Sequence, residues 1–287
     1  SLRRNFKYYL SPIVVDKLIK SERAPKLGGE EREVTVLFSD LEGFTRLSEK
    51  YDPQELVFLL NQYLSAMTNI IEEHGGFVDK YIGDAIVAVF GAPLETQSHG
   101  KDAVLAALSC QEKLIELNSS ANFDGLQLAA RIGINTGNAL VGNIGSERRF
   151  NYTVMGDVVN TASRLEGANK VFGTTILLSE TTRERLDDEI LCRKVDKIRV
   201  VGKANPMNVF EVIDFRNVVQ TDTLNLVHRY ESALNLWTKR DFTEVIGMLQ
   251  ELIRDDALSN RLYERALALE KSPPGDDWTP VYELQEK

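Results

Sequence analysis

The sequence predicts an α+β fold, in which helices cover one face of a single sheet. Three observations support this prediction. Residues 33–40 show the apolar alternation of a strand. Residues 53–74 have apolar side chains at helical spacing and stop at Gly75-Gly76, a signal that ends helices. Strand and helix patterns then continue to Val212, which gives the order β-α-β-β-α-β.

The remaining elements follow from the same two periodicities. Strands are predicted at 77–78, 85–90, 126–134, 139–141 and up to residue 153, and helices at 100–118, 157–170 and 180–186. The segment 79–84 is expected to be the turn of a hairpin. A strand-rich stretch at 190–212 closes the sheet.

The two ends of the chain differ from this central pattern. Residues 1–31 are expected to form a short helical entry segment and a polar linker, so that the main domain spans 32–215. Residues 216–287 are expected to form a small all-α appendage followed by an extended tail. The chain begins at Ser1 rather than Met, and we therefore expect it to be part of a longer protein.

Composition excludes some classes of function. The net charge is -9 and the basic residues form no long run, which disfavours nucleic-acid binding. The sequence contains no run of about 20 apolar residues, so direct membrane insertion is not expected. Cys110 and Cys192 have no metal-ligand spacing and are typical of a reducing compartment. We expect a cytoplasmic location, as the soluble portion of a longer, membrane-anchored sensor.

Two acidic residues are expected to meet at one end of the sheet. Asp40 follows a strand and precedes Gly43, whose turn would expose backbone amides. Asp84 lies in the expected hairpin turn. If the hairpin is next to the first strand, the two carboxylates converge, and such a pair holds magnesium ions against phosphates. Either residue alone is also compatible with ordinary turn chemistry.

A third segment, residues 151–166, combines a strand, a glycine turn and a helix. On that helix Asn160 and Arg164 are four residues apart and therefore share a face. An amide and a guanidinium that project together can orient a ribose and neutralise charge on a phosphoryl group. Without the acidic segments, an exposed helix face would explain these two residues equally well.

Together, the three segments resemble the class III nucleotidyl cyclases over residues 33–214. The resemblance implies a palm-type, ferredoxin-like catalytic domain with two Mg²⁺ or Mn²⁺ ions per active site. It implies that Asn160 orients the ribose and that Arg164 stabilises the transition state. It also implies metal ligation by Asp40, Asp84 and the Leu41 carbonyl, and substrate contacts from Gly43, Phe44, Thr45 and Lys203. The family usually has a basic residue where Val201 stands, which weakens the Lys203 assignment.

The same resemblance implies a substrate and an assembly. Lys80 and Thr153 match the Lys/Thr variety of the family that reads adenine, so ATP is expected rather than GTP. One chain carries both halves of the site, which implies a homodimer with shared sites. The resemblance also implies regulation by bicarbonate or calcium.

Three alternatives remain open at this point. Guanylate cyclase is the nearest, and it is disfavoured by Lys80. A catalytically silent cyclase-fold module for regulation or dimerisation would lack site residues, whereas none is missing here. A diguanylate-cyclase-like or polymerase-like palm domain shares the two-metal logic but not the helix with Asn160 and Arg164.

Overall fold

This computed structural model describes residues 14–15, 26–44, 49, 51–120, 127–200 and 202–284. The expected α+β class is confirmed. The predicted N-terminal helix lies mostly outside the described residues, and within it Val14 and Val15 are helical and buried. The chain forms two compact units, residues 1–166 and 167–287. None of the helices in the described ranges has both the length and the apolar character that crossing a membrane requires.

The first unit is built on an antiparallel sheet with the strand order β2-β3-β1-β4, and β5 pairs with β4. The helix that follows β5 continues beyond residue 166. The elements are β1 (Gly28–Leu41), α1 (Pro53–Glu73), β2 (Phe77–Ile82), β3 (Ala85–Phe90), α2 (His99–Asn118), β4 (Ala130–Ser146), β5 (Arg149–Met155) and α3 (Asp157–Phe172).

Helices pack on both faces of this sheet. The Thr35 hydroxyl on β1 lies 2.8 Å from Nδ1 of His99, the first residue of α2. Its neighbour Val36 faces the opposite way and joins a buried apolar cluster that includes Val158 of α3. The expectation of helices on one face only was therefore wrong. Consecutive buried positions at 34–37 are typical of a strand that is covered on both faces.

Three strand boundaries also differ from the expectations. β1 begins within the segment expected to be a linker, and Gly28 lies opposite Asn143 of β4. β2 continues to Ile82, which lies opposite Ala85, so the turn contains only residues 83–84. β4 is one strand of 17 residues where two strands were expected. In each case a neighbouring strand extends the element, and a local pattern does not contain that information.

The strands of the second unit have the order β6-β8-β7-β9. Three further helices of this unit pack on one another. Neighbouring strands are antiparallel except for β9, which is parallel to β7. The elements are β6 (Ile176–Ser179), α4 (Glu180–Arg183), β7 (Ile190–Arg199), β8 (Met207–Phe215), α5 (Thr221–Thr238), α6 (Phe242–Leu249), α7 (Ala257–Lys271) and β9 (Val281–Glu283).

A polar network of low exposure fastens the last helix to the strands of this unit. Arg193 of β7 donates to Glu211 of β8 at 2.6 and 3.0 Å and to Asp256 at 2.8 and 3.0 Å. Asp256 also caps α7, and Arg265 of α7 donates to buried Asp196 of β7 at 2.6 Å. Strands and helices therefore form one compact unit here.

The C-terminal tail contributes a strand, which the expectation of an all-α appendage did not include. In β9, Val281 lies opposite Lys197 of β7. The ring of Tyr282 packs against Phe172, with centroids 5.2 Å apart. Just before β9, Trp278 meets Trp237 of α5 edge to face at 5.3 Å. The tail is extended, as expected, and it is held by backbone pairing as well as by aromatic contacts.

Candidate active site

Two carboxylates meet where β1 ends and the β2–β3 hairpin turns. Ser39 of β1 lies opposite Ile86 of β3, so the next residue, Asp40, reaches the turn that contains Asp84. The two aspartate side chains lie close enough for the charge of Asp40 to act on Asp84, and the backbone N–H of Leu41 donates to Asp84. The structure thus brings together Asp40, Leu41 and Asp84, as the sequence predicts.

The electrostatics of this pair favour a bound proton or cation. Burial, and then the neighbouring charge and hydrogen bond of Asp40, raise the pKa of Asp84 from 3.8 to about 6. The hydroxyl of Tyr63 on α1 lies close by. Burial raises the pKa of Tyr63, and negative charge on Asp84 and Asp40 adds to that effect. Negative charge is therefore concentrated in a partly buried site.

The turn after β1 follows directly on this pair. Gly43 has a φ of 70°, a left-handed conformation that glycine adopts without strain. The backbone N–H of Glu42 donates to the Ala129 carbonyl at 2.7 Å and ties the turn to the chain before β4. Phe44 has a helical conformation and is half-buried. Thr45 lies outside the described residues, so its predicted role stays a prediction.

The two residues predicted to read the base lie on β2 and β5, which are not paired with each other in the sheet. Lys80 is exposed on β2, and its Nζ lies 3.2 Å from Oδ2 of Asp79. Thr153 lies on β5, and its Oγ1 is buried without a hydrogen-bond partner in the described part of the chain. β2 and β5 meet at Phe77 and Tyr152, whose ring centroids are 5.9 Å apart. Lys80 therefore belongs to a strand, not to the turn that the sequence indicated.

The helix α3 presents the other two predicted polar residues. Asn160 is exposed, and Nη1 of Arg164 lies 4.0 Å from Oδ1 of Asp157 in the same helix. α3 lies so close to β4 that a Cβ atom added at Gly133 would come within 2.1 Å of the Ala162 carbonyl oxygen. This glycine contact fixes the depth at which the helix packs, and with it the position of Asn160 and Arg164.

The last predicted site residue, Lys203, belongs to the second unit. It lies in the connection between β7 and β8, where its backbone N–H donates to the Val200 carbonyl at 3.0 Å. Val201 lies outside the described residues. The predicted contact of Lys203 with terminal phosphates stays a prediction.

Two residues near the site were not singled out from the sequence. Tyr63 fits the apolar face of α1. A buried Tyr hydroxyl usually needs a polar neighbour, so its place on that face could have indicated a polar site nearby. Asp79 was taken as part of a turn. Strands are depleted in aspartate, so its place within β2 is a local exception that only the strand pairing reveals.

An antiparallel sheet that ends in paired carboxylates beside a hairpin defines a palm-type catalytic domain. The family profile described as "Adenylate and Guanylate cyclase catalytic domain" matches residues 29–213, which is more than half of the chain. The chain belongs to this family.

Relatives and solved structures agree with this membership. Adenylate cyclase 1 of Rhizobium meliloti (strain 1021) is 34% identical over 217 residues, which cover 75% of this chain and 33% of that protein. The crystal structure of the adenylyl cyclase CyaB from P. aeruginosa is 35% identical, with a TM-score of 0.62, and the match covers 68% of this chain and 100% of that chain. The crystal structure of the guanylyl cyclase Cya2 is 38% identical, with a TM-score of 0.60 and coverage of 68% and 98%. The chain thus spans about a third of the length of the R. meliloti relative.

Proposed function

We propose that this chain is the catalytic part of an adenylate cyclase, which converts ATP into 3′,5′-cyclic AMP and pyrophosphate. In that reaction a bond forms between O3′ of the ribose and the α-phosphorus, and the bond to the pyrophosphate oxygen breaks. The observation that carries the proposal is the convergence of Asp40 and Asp84 at the end of β1, within a domain of the cyclase family.

The residues at this pair fit divalent cations. Asp40, Asp84 and the Leu41 carbonyl supply the hard oxygen ligands that Mg²⁺ and Mn²⁺ prefer. Burial, and then the charge of Asp40, raise the pKa of Asp84, and a bound cation would oppose both effects. Two ions bound there would neutralise triphosphate charge and lower the pKa of a coordinated hydroxyl. The chain's own contribution is to hold the ligands in place and to offer the amides of Gly43 and Phe44 beside them.

The choice between ATP and GTP rests on Lys80 and Thr153, because both adenylyl and guanylyl cyclases are among the similar structures. A lysine donates a hydrogen bond and cannot accept one from the N1–H of guanine. The buried Thr153 hydroxyl, which has no partner in the described residues, is suited to accept from the exocyclic amine of adenine. Guanine would leave these polar groups unpaired, which disfavours GTP.

A homodimer with shared sites completes the proposal. Asn160 is exposed, and the half-buried side chain of Arg164 lies 4.0 Å from exposed Asp157, so both side chains are accessible to a nucleotide held by a second copy. Large apolar side chains that a second copy would cover are exposed on the hairpin and on the β4–β5 pair, namely Tyr81, Ile82, Leu140 and Met155. Arg164 would then neutralise charge at the α-phosphate, and Asn160 would orient the ribose.

Mixing two inactive variants tests the chemistry and the shared site together. We expect Asp40→Ala and Arg164→Ala each to form almost no cyclic AMP from ATP with Mg²⁺ or Mn²⁺. Random exchange of subunits makes half of the dimers mixed, each with one intact site of two, so the mixture should recover about a quarter of wild-type activity. Absence of recovery in a mixture that demonstrably contains mixed dimers would rule out shared sites. Faster turnover of GTP than of ATP by the wild type would favour the guanylate cyclase alternative.

The cytoplasmic location and the responses to bicarbonate or calcium belong to the same proposal. The two responses are tested by adding each ion to the ATP assay and comparing initial rates. A silent cyclase-fold module would show no turnover with either nucleotide under any of these conditions.

A further inference from the structure

Asp79 is a buried carboxylate with an unusual set of contacts. Its side chain is 2% exposed, and neither of its oxygens has a hydrogen-bond partner within the described residues. Among the residues that the structure describes, its ion-pair partner is its neighbour Lys80, whose Nζ lies 3.2 Å from Oδ2 while the side chain of Lys80 is 50% exposed. The negative charge is therefore inside the protein, and its positive partner is at the surface.

Such a carboxylate does not stabilise the fold efficiently. A buried charge is costly when donors do not surround it, and apolar residues of similar size often replace such groups without loss of stability. Asp79 also occupies a strand, where aspartate is disfavoured. These features are typical of a residue that serves a site at the expense of local stability.

The backbone at Asp79 explains how it acts on Lys80. The pairing of β2 with β3 is regular at Phe77 and Val89, shifts between Val78 and Lys80, and resumes with Lys80 opposite Val87. Asp79 is thus the extra residue of a β-bulge, a feature that redirects side chains next to active sites.

The bulge changes the face on which Lys80 lies. In an uninterrupted strand, residues three positions apart point to opposite faces. Phe77 and Lys80, however, lie opposite Val89 and Val87, which are two positions apart on β3 and share a face. Phe77 contacts Tyr152, the neighbour of Thr153 on β5. The bulge therefore turns Lys80 to the face on which β2 meets β5.

We propose that Asp79 is a positioning residue for base recognition, which holds the ammonium group of Lys80 on the face of β2 that meets β5. The proposal rests on the proposed function, because it assumes that Lys80 reads the adenine. Asp79 is not required to touch the nucleotide. The 3.2 Å contact with its carboxylate restricts the rotamers of Lys80, so that less ordering is needed when the base binds.

A double-mutant cycle tests this role. The full chain is prepared as wild type, Asp79→Asn, Lys80→Met and the double variant, with Glu73→Gln as a control that removes an exposed negative charge at the end of α1. For each protein, kcat and KM are measured with ATP and with GTP, the Kd for ATP by calorimetry, and the Tm by thermal unfolding.

We expect Asp79→Asn to raise both KM and Kd for ATP about 10-fold and to leave kcat within about twofold, because base contacts act on binding. The preference for ATP over GTP should fall by a similar factor. In the Lys80→Met background, Asp79→Asn should change KM and Kd less than twofold, because the group that it positions is absent. The Tm of Asp79→Asn should equal or exceed that of the wild type, and Glu73→Gln should match the wild type throughout.

Other outcomes overturn the inference. Unchanged Kd and KM for ATP in Asp79→Asn would exclude a positioning role. Equal losses in the two backgrounds, or a loss of activity that follows a lowered Tm, would make Asp79 a purely structural residue. Failure of the proposed function has a separate signature, namely a wild type that binds ATP without forming cyclic AMP, and the Kd cycle still decides the role of Asp79 in that case.

Discussion

The substitution Arg193→Met measures how strongly the second unit depends on its buried ion network. The Arg193 side chain is 3% exposed, and it makes four N–H···O contacts of 2.6–3.0 Å to Glu211 and Asp256. Methionine keeps much of the side-chain volume but leaves two poorly exposed carboxylates without their cation. Breaking a buried pair in this way costs about 3–5 kcal/mol. The free energy of unfolding should fall by that amount, and the Tm should fall by on the order of 10 °C.

Urea denaturation followed by circular dichroism provides the measurement, with Glu251→Gln as the matched control. That substitution breaks the Arg229–Glu251 pair, in which the glutamate side chain is 71% exposed, and exposed pairs contribute only about 0–1 kcal/mol. A loss below about 1 kcal/mol for Arg193→Met, or one equal to that of the control, would show that the network does not stabilise this unit.

Three further predictions concern specificity, acid stability and thiol reactivity. Lys80→Glu combined with Thr153→Cys should abolish ATP turnover and introduce some GTP turnover in a cyclic nucleotide assay, and unchanged ATP activity would reject their base-reading role. Although burial opposes it, hydrogen bonds and charge from Arg193 lower the pKa of Asp256 below 3.8. Its contribution to stability is therefore complete above that pH and is lost as the pH falls through the lowered value, so Asp256→Asn should flatten the acid limb of urea midpoints measured against pH. Burial raises the pKa of Cys110 to about 12, so its thiolate fraction at pH 8 is about 1 in 10⁴, and mass spectrometry should find it alkylated by iodoacetamide only after unfolding.

The convergence of the carboxylates was predictable from the sequence because it depends on local order. Asp40 lies at the end of one apolar strand pattern, and Asp84 lies directly before the start of another. Because β1 and β3 pair antiparallel, the end of β1 lies beside the start of β3. The spacing of Asn160 and Arg164 on one helix face was predictable for the same reason. Both inferences needed only short-range periodicity and a plausible strand order.

The bulge at Asp79 and the length of β4 were not predictable by that route. A bulge is a property of two paired strands, and the residues of β2 alone give no sign of it. β4 is continuous because β1 and β5 pair along it, although Asn135, Gly137 and Asn138 interrupt its apolar pattern. Tertiary pairing overrides weak strand propensity at such positions.

The ion network of the second unit was equally hidden. Arg193 and Asp256 are separated by 63 positions in the sequence. Arginine and aspartate usually lie at the protein surface, so neither residue indicates burial by its type. Sequence periodicity predicted that this region is largely helical, but it contained no information on which charged side chains would be buried together.

The strand β9 has a consequence for how the chain can be cut or fused. Its backbone pairs with residues 197–199 of β7, and the N–H of Leu284 donates to the Arg199 carbonyl at 3.1 Å. Removal of the last few residues would leave β7 as an open edge, which is a template for strands of other molecules. Any shortened version that ends before Val281 should therefore be more prone to aggregate, even though no residue of the proposed catalytic site has been touched.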